Sequence, residues 1–128
     1  MAIQIVRLGS EREKDEGLRI GTVRRPPRGV PKSEFAVQNW YDVWLPDVAP
    51  SLELMKLGQS VKTDKEWTVF TRKYKAEMKK PDKSRLLDLL AALSQDTHMS
   101  VGCYCENEAR CHRSILGELL AARGAKLK

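Results

Sequence analysis

The sequence predicts a single α/β domain over residues 1–128, with a mainly parallel central sheet flanked by helices in Rossmann-like layers. Three observations lead there. Strand-like segments open the chain and recur near its end, amphipathic helical periodicity fills the middle and the C-terminus, and 128 residues make one domain's worth of chain. At that length roughly two-thirds of the unfolded surface can be buried, so no metal or disulfide staple is required for stability.

Residues 3–8 read as a short strand followed by a charged loop between Gly9 and Gly17, in which nothing from Ser10 to Glu16 looks apolar enough to be buried. Residues 18–23 alternate apolar and other side chains, the period of a half-buried strand. Three prolines and a glycine in residues 24–31 then break regular structure. Residues 40–44 form another candidate strand, stopped by Pro46 and Pro50.

The centre is helical. Thr63 and Glu66 spell a capping box, in which the hydroxyl takes the N3 amide proton and the glutamate reaches back to the cap. Trp67, Phe70, Tyr74 and Met78 follow at helical spacing, a stripe that predicts core rather than a cofactor site. Lys80 and Pro81 end that helix. Asp82 is positioned to cap the next, with Leu86, Leu87, Leu89, Leu90 and Leu93 as its apolar face. Met99, Val101, Cys103 and Cys105 alternate as one face of a strand, with small Ser100 and Gly102 behind them to admit a closely packed helix. A final helix begins near Cys111, buries Ile115, Leu116, Leu119 and Leu120, and stops at Gly124 as a C′ residue.

Composition excludes several classes. Hydrophobic residues are 41% and charged residues 31%, a globular rather than a disordered balance. No apolar run approaches the roughly 18 residues of a membrane span, and the N-terminus lacks a secretory apolar core. The expectation is a cytoplasmic protein with no membrane partner. The net charge of +6 is spread along the chain and favours anionic partners, whether nucleic acid, nucleotides or phosphorylated metabolites.

Two segments carry chemistry. The first, residues 103–114, joins a strand end to a helix start, where unpaired helical N–H groups attract anions and ease ionisation of a thiol. It holds Cys103, Cys105, Glu106, Glu108, Arg110, Cys111, His112, Arg113 and Ser114. A phosphatase or rhodanese loop is excluded, because Cys111 rather than an arginine stands six residues after Cys105 and two glutamates intervene. Zinc has the right ligand types in Cys103, Cys105, Cys111 and His112, but paired C-x2-C hooks are absent and adjacent Cys111 and His112 are not expected to converge on one ion. A redox pair (Cys105 with Cys111 or Cys103) and a nucleophile or acid–base site using one cysteine with Glu106 and His112 both stay open. Cys103 also reads as a small buried hydrophobe. An odd number of cysteines argues against a disulfide framework.

The second segment, residues 24–29, offers Arg24, Arg25 and Arg28 on a proline-stiffened loop. No acidic residue lies between Arg19 and Glu34, so this is a candidate anion clamp. Trp40, Tyr41 and Trp44 are candidates to stack on a base or sugar, although core packing suits at least two of them better.

The ordered set resembles the YeaO-like DUF488 family. It comprises Gly17 to Gly21, Arg24, Pro27-Arg28-Gly29, Trp40, Pro50-Ser51, the Trp67-x-x-Phe70-x-x-x-Tyr74-x-x-Glu77-Met78 helix, and Cys105-Glu106 with Cys111-His112-Arg113. The likeness runs over roughly residues 3–123. It implies a small cytoplasmic single-domain α/β protein and supports a fold more than an activity. YeaO-type members carry an aspartate before the first loop arginine and a tryptophan before its proline, where this chain has Val23 and Pro26. They also lack the cysteine pair, which belongs to branches with a Cys-x-x-Glu or Cys-x-Glu and a Cys-His-Arg pattern; here Glu106 directly follows Cys105.

If the strands preceding the two segments are parallel neighbours, their loops meet at one sheet edge in a single cleft. The leading expectation is a phosphate-bearing ligand, a nucleotide or nucleic-acid component, held by Arg24, Arg28 and Arg113 with Trp40 alongside. Cys105, Glu106, Cys111 and His112 then supply reactivity or polar recognition. The alternatives are a non-catalytic nucleic-acid-binding module, using the nine basic residues among positions 62–85, and a thiol redox or metal-responsive protein. No cofactor, resident metal or specific reaction is assigned from the sequence.

Overall fold

The computed structural model describes residues 1–105, 107 and 110–128. Four strands, β1 (Ile3–Arg7), β2 (Leu18–Gly21), β3 (Val43–Trp44) and β4 (Met99–Cys103), form one sheet in the order β1-β4-β2-β3 with every pair parallel. The helices are α1 (Leu52–Gln59), α2 (Asp64–Met78), α3 (Pro81–Leu93) and α4 (His112–Ala122). The α/β prediction holds. No described helix is long and apolar enough to cross a membrane.

The last strand in sequence lies inside the sheet. Ile3 to Arg7 pair with Met99 to Cys103 on one side of β4, and Leu18 to Gly21 pair with Met99 to Gly102 on the other. All five β4 residues are consequently buried. Ile3, Ile20, Met99 and Val101 meet Leu54 of α1, Phe70, Tyr74 and Met78 of α2, Leu87 and Leu90 of α3, and Ile115, Leu116 and Leu120 of α4 in one core. Burying each large apolar side chain contributes about 1.5–3 kcal/mol.

The helix ends obey local rules. The Thr63–Glu66 capping box forms with both of its bonds. Gly124, at φ +84°, follows the last turn of α4. Its N–H bonds Ala121 and the Ala125 N–H bonds Leu120, the paired closure of a Schellman motif. α3 departs from expectation: Lys80 is its N-cap without a side-chain bond, Pro81 occupies the first turn, and Asp82 sits inside the helix. Pro81 sets the start because it needs no donor there. The apolar face of α3 is also narrower than its leucines suggest, since Leu89 and Leu93 are exposed. In the 40–44 segment only Val43 and Trp44 pair as a strand, and α1 is a helix the periodicity did not announce.

The charged 9–17 loop is the largest difference. Glu16 is 2% exposed and Arg19 fully buried, joined by Arg19 Nε to Glu16 Oε2 at 2.6 Å and Nη2 to Oε1 at 2.8 Å. Ser100 Oγ donates to the same carboxylate at 2.7 Å, so Ser100 faces this ion pair rather than a helix. At Gly102 a Cβ would lie 2.6 Å from the Val6 carbonyl oxygen and 2.8 Å from Val6 Cγ2. Burial alone would raise the Glu16 carboxyl, but hydrogen bonds from Arg19 and Ser100 and the guanidinium charge overcome it and hold the group below its ordinary value.

Gly102→Ala is expected to lower stability by about 1–3 kcal/mol, read as the urea midpoint, because the neighbouring backbone cannot yield. Glu16→Ala leaves Arg19 buried without its counter-charge, and the expected loss is about 3–5 kcal/mol. A carboxyl depressed in the folded state contributes fully above its unfolded value, and that contribution disappears as pH falls through the lower folded value. Stability measured against pH on the acid side should therefore fall less steeply in Glu16→Gln than in the unaltered chain.

Candidate functional site

Because β2 and β4 are parallel neighbours, the segments that follow them leave the sheet at the same edge. Thr22 continues the pairing, its N–H and Oγ1 both donating to the Gly102 carbonyl at 3.0 and 2.9 Å, while the Leu8 N–H donates to Cys103 at 2.8 Å. Beyond these bonds the chain ends of β1, β2 and β4 spread around a cleft of about 920 Å³. Gly9, Ser10 and Trp40 form one rim; Met55, Gly58 and Gln59 of α1, with Phe70 of α2, form the opposite wall. Cys103, Cys105, Cys111 and His112 lie at the strand–helix junction.

Of the residues singled out from sequence, Arg24, Arg28, Trp40, Cys105, Cys111 and His112 line this cleft. Glu106 lies outside the described residues. Arg113 is not among the lining residues: it is 4% exposed, and its Nη1 donates to the carbonyls of Cys103 at 3.3 Å and Cys105 at 2.8 Å, clasping the loop from behind. Arg24 is partly committed as well. Its Nε donates to Pro50 at 2.9 Å and its Nη2 to Pro46 and Ala49 at 3.0 and 3.2 Å, which leaves Nη1 for another partner. Trp40 meets Tyr104 edge-on at 5.8 Å, and the Tyr104 hydroxyl donates to the Arg25 carbonyl at 3.0 Å, linking the two loops.

Arg110, which the sequence places in the 103–114 segment but not among the anion-clamp residues, also lines the cleft, as does Arg7, which sequence reasoning missed. Arg7 comes there because β1 runs parallel beside β4, a strand order the sequence does not state. With Arg24, Arg25 and Arg28, these two make five arginines around the cleft, and no described lining residue is acidic.

The thiols are closer together than their spacing suggested. Cys103 Sγ and Cys111 Sγ lie 2.7 Å apart, and the Cys105 N–H donates to Cys103 Sγ at 3.3 Å. Cys111 is the N-cap of α4 with extended backbone (φ −123°, ψ 143°), and His112 is the first helical residue. That change of direction lets adjacent side chains converge: Cys111 Sγ is 4.0 Å from His112 Nδ1. Adjacent side chains not expected to converge on one ion are thus brought near each other by the cap geometry. His112 Nε2 donates to the Thr22 carbonyl at 2.6 Å and its ring packs edge-on against Tyr74 at 5.7 Å. Burial lowers the His112 pKa and so favours the neutral ring, and donation from Nε2 leaves Nδ1 as its lone-pair nitrogen. Among the thiols, the neighbouring Cys103 and Cys111 hold Cys105 well below the ordinary thiol range, and the Arg113 charge adds to this. Sharing those bonds with Cys105 pushes Cys103 up to about 11.

Cys105 is exposed whereas Cys103 and Cys111 are buried. In the reduced, chelator-treated chain a thiol-reactive chromophore should therefore modify one cysteine rapidly and the other two only on unfolding. Rapid modification of all three would contradict this arrangement.

No curated protein and no solved structure matches the chain. A family match does exist, and it covers residues 3–124. The four parallel strands, the two converging loops and the cysteines that end β4 and start α4 thus belong to a member of the DUF488 family, matched by the model described as the active DUF488-N3 subclade.

Proposed function

We propose that the cleft binds a phosphate-bearing ligand, a nucleotide or a nucleic-acid component, between loop 24–29 and loop 103–114. The observation that carries this reading is that five arginines line a cleft with no described acidic lining residue, one of them, Arg110, being ion-paired with Asp64. A concave site lined by one sign of charge focuses its field and concentrates the opposite charge. Guanidinium groups also match phosphate oxygens in pairs. Arg25 and Arg28 are exposed and make the first contact. Arg24 adds its remaining nitrogen, and Arg113 acts indirectly by holding the loop that carries the thiols. Trp40 supplies an aromatic rim against which a base or sugar can pack.

In this reading Cys105, Cys111 and His112 face the bound ligand as recognition or reactive groups, with Glu106 as their acid–base partner. The matching family model is described as an active subclade, which is in keeping with chemistry rather than passive binding.

The test is calorimetric titration of the reduced full chain with nucleoside mono-, di- and triphosphates and a short single-stranded oligonucleotide. At least one probe should bind, with affinity falling as salt rises. The Arg25→Ala/Arg28→Ala double variant should weaken it about tenfold or more, the worth of one charge-assisted hydrogen bond at about 1.5–3 kcal/mol. An unchanged melting temperature would show that the loss is local. Failure of every probe to bind below about 1 mM, or affinity indifferent to both arginines, overturns the reading.

A further inference from the structure

We propose that Cys103, Cys111 and His112 form a zinc site with three protein ligands whose fourth position opens into the cleft. The two sulfurs and the imidazole nitrogen all lie within 4.8 Å of one another, and all three residues are buried. Each also lines the cleft, so an ion held between them has one side towards the ligand space.

The distances suit a tetrahedral ion after small adjustments. Zinc–sulfur bonds of about 2.3 Å and zinc–nitrogen bonds of about 2.0 Å place two sulfurs about 3.7 Å apart, and sulfur and nitrogen about 3.5 Å apart. The present separations are 2.7 Å for the sulfurs and 4.0 Å for Cys111 Sγ to His112 Nδ1. The sulfurs must therefore part by about 1 Å while the imidazole closes on Cys111 by about 0.5 Å and on Cys103 by at most about 1.3 Å, within reach of side-chain rotation about Cα–Cβ.

The second, independent observation is the support behind the histidine. Metal-bound imidazoles donate their other ring N–H to a carbonyl or carboxylate, which fixes both tautomer and ring plane. His112 already does this through Nε2 to the Thr22 carbonyl at 2.6 Å, while Tyr74 holds the ring edge-on. The lone pair of Nδ1 is left on the Cys111 side. A disulfide between Cys103 and Cys111 would give this preset nitrogen no role, whereas a metal uses all three groups. Two thiolates and one imidazole are a donor set that favours zinc over magnesium or calcium. Binding displaces one proton from each thiol, and Zn²⁺ with two thiolates is neutral. The inference goes beyond the phosphate reading and does not require it: the arginines are not ligands, and with zinc bound Cys111 and His112 serve the metal, leaving Cys105 to face the bound ligand.

The test uses the reduced full chain, stripped by chelator and titrated with zinc against a chromophoric competitor. One equivalent should bind with a dissociation constant below about 1 µM, and Cys103→Ser and Cys111→Ser should each weaken binding by about 100-fold or more, exceeding the 10–100-fold typical of outer-shell losses. X-ray absorption on the unaltered zinc-loaded chain reads the ligands directly, so the result stands even if a serine variant misfolds. Two sulfurs near 2.3 Å and one imidazole nitrogen near 2.0 Å are expected. A shell of nitrogen and oxygen alone, a shell of three sulfurs, or no binding below about 10 µM overturns the site.

Discussion

Arg19 has no exposed surface, and its guanidinium hydrogen bonds reach two separate loops of the chain. Two go to Glu16, one to the Ser10 carbonyl at 2.9 Å and one to the Asn39 carbonyl at 2.8 Å. Glu16 in turn accepts from Ser100 on the central strand. Asn39 also takes the Gly9 N–H, and the next residue, Trp40, stands against Gly9 on the cleft rim. One buried charge thus registers two irregular loops against β2 and β4 where an apolar layer would have left them free to slide. An ion pair of this kind returns little net stability relative to apolar packing, but losing either partner strands the other. Here it serves position, together with the hydrogen bonds between Asp42 and the Arg19 backbone and the Trp40–Tyr104 contact that also tie the rim to the sheet.

Local rules carried the sequence reading where the structure is local. The α2 helix was legible end to end, because a capping box and an i, i+3, i+4 stripe are written in adjacent residues. The Schellman closure at Gly124 was legible for the same reason. The 9–17 loop is not legible in this way, because its charge reads as solvent exposure, and only the distant Ser100 and the neighbouring Arg19 make Glu16 a buried group. α1 escaped because eight residues give little periodicity; its trace was Ser51, whose hydroxyl accepts the Leu54 N–H as an N-cap. Strand order was beyond the sequence, since nothing within residues 99–103 states that they insert between β1 and β2.

The candidate site follows the same division. Its residue types and their approximate meeting place could be read, because loops after parallel strands share an edge. The convergence of Cys111 with His112 could not, since it depends on the backbone turning at one N-cap. The reach of Arg113 was equally hidden: from sequence it is one more cation beside the thiols, yet folded it holds the carbonyls of Cys103 and Cys105. Arg24 shows a similar double duty, tying the carbonyls before α1 to the end of β2 while lining the cleft. Since α1 is further anchored through Ser51 to Glu77 of α2, the far wall of the cleft is fastened at both its approach and its first turn.

The C-terminal residues add a different consequence. Ile3 donates to the Lys126 carbonyl at 2.8 Å and accepts from the Lys128 N–H at 2.9 Å, and the Arg7 carbonyl accepts from Ser10. The outer side of β1 is therefore occupied at both its beginning and its end, while the opposite border of the sheet, β3, is only two residues long. Exposed sheet borders are templates on which other chains add strands and aggregate. With one border covered at its two ends and the other only two residues long, the described sheet offers little free ladder to an added strand.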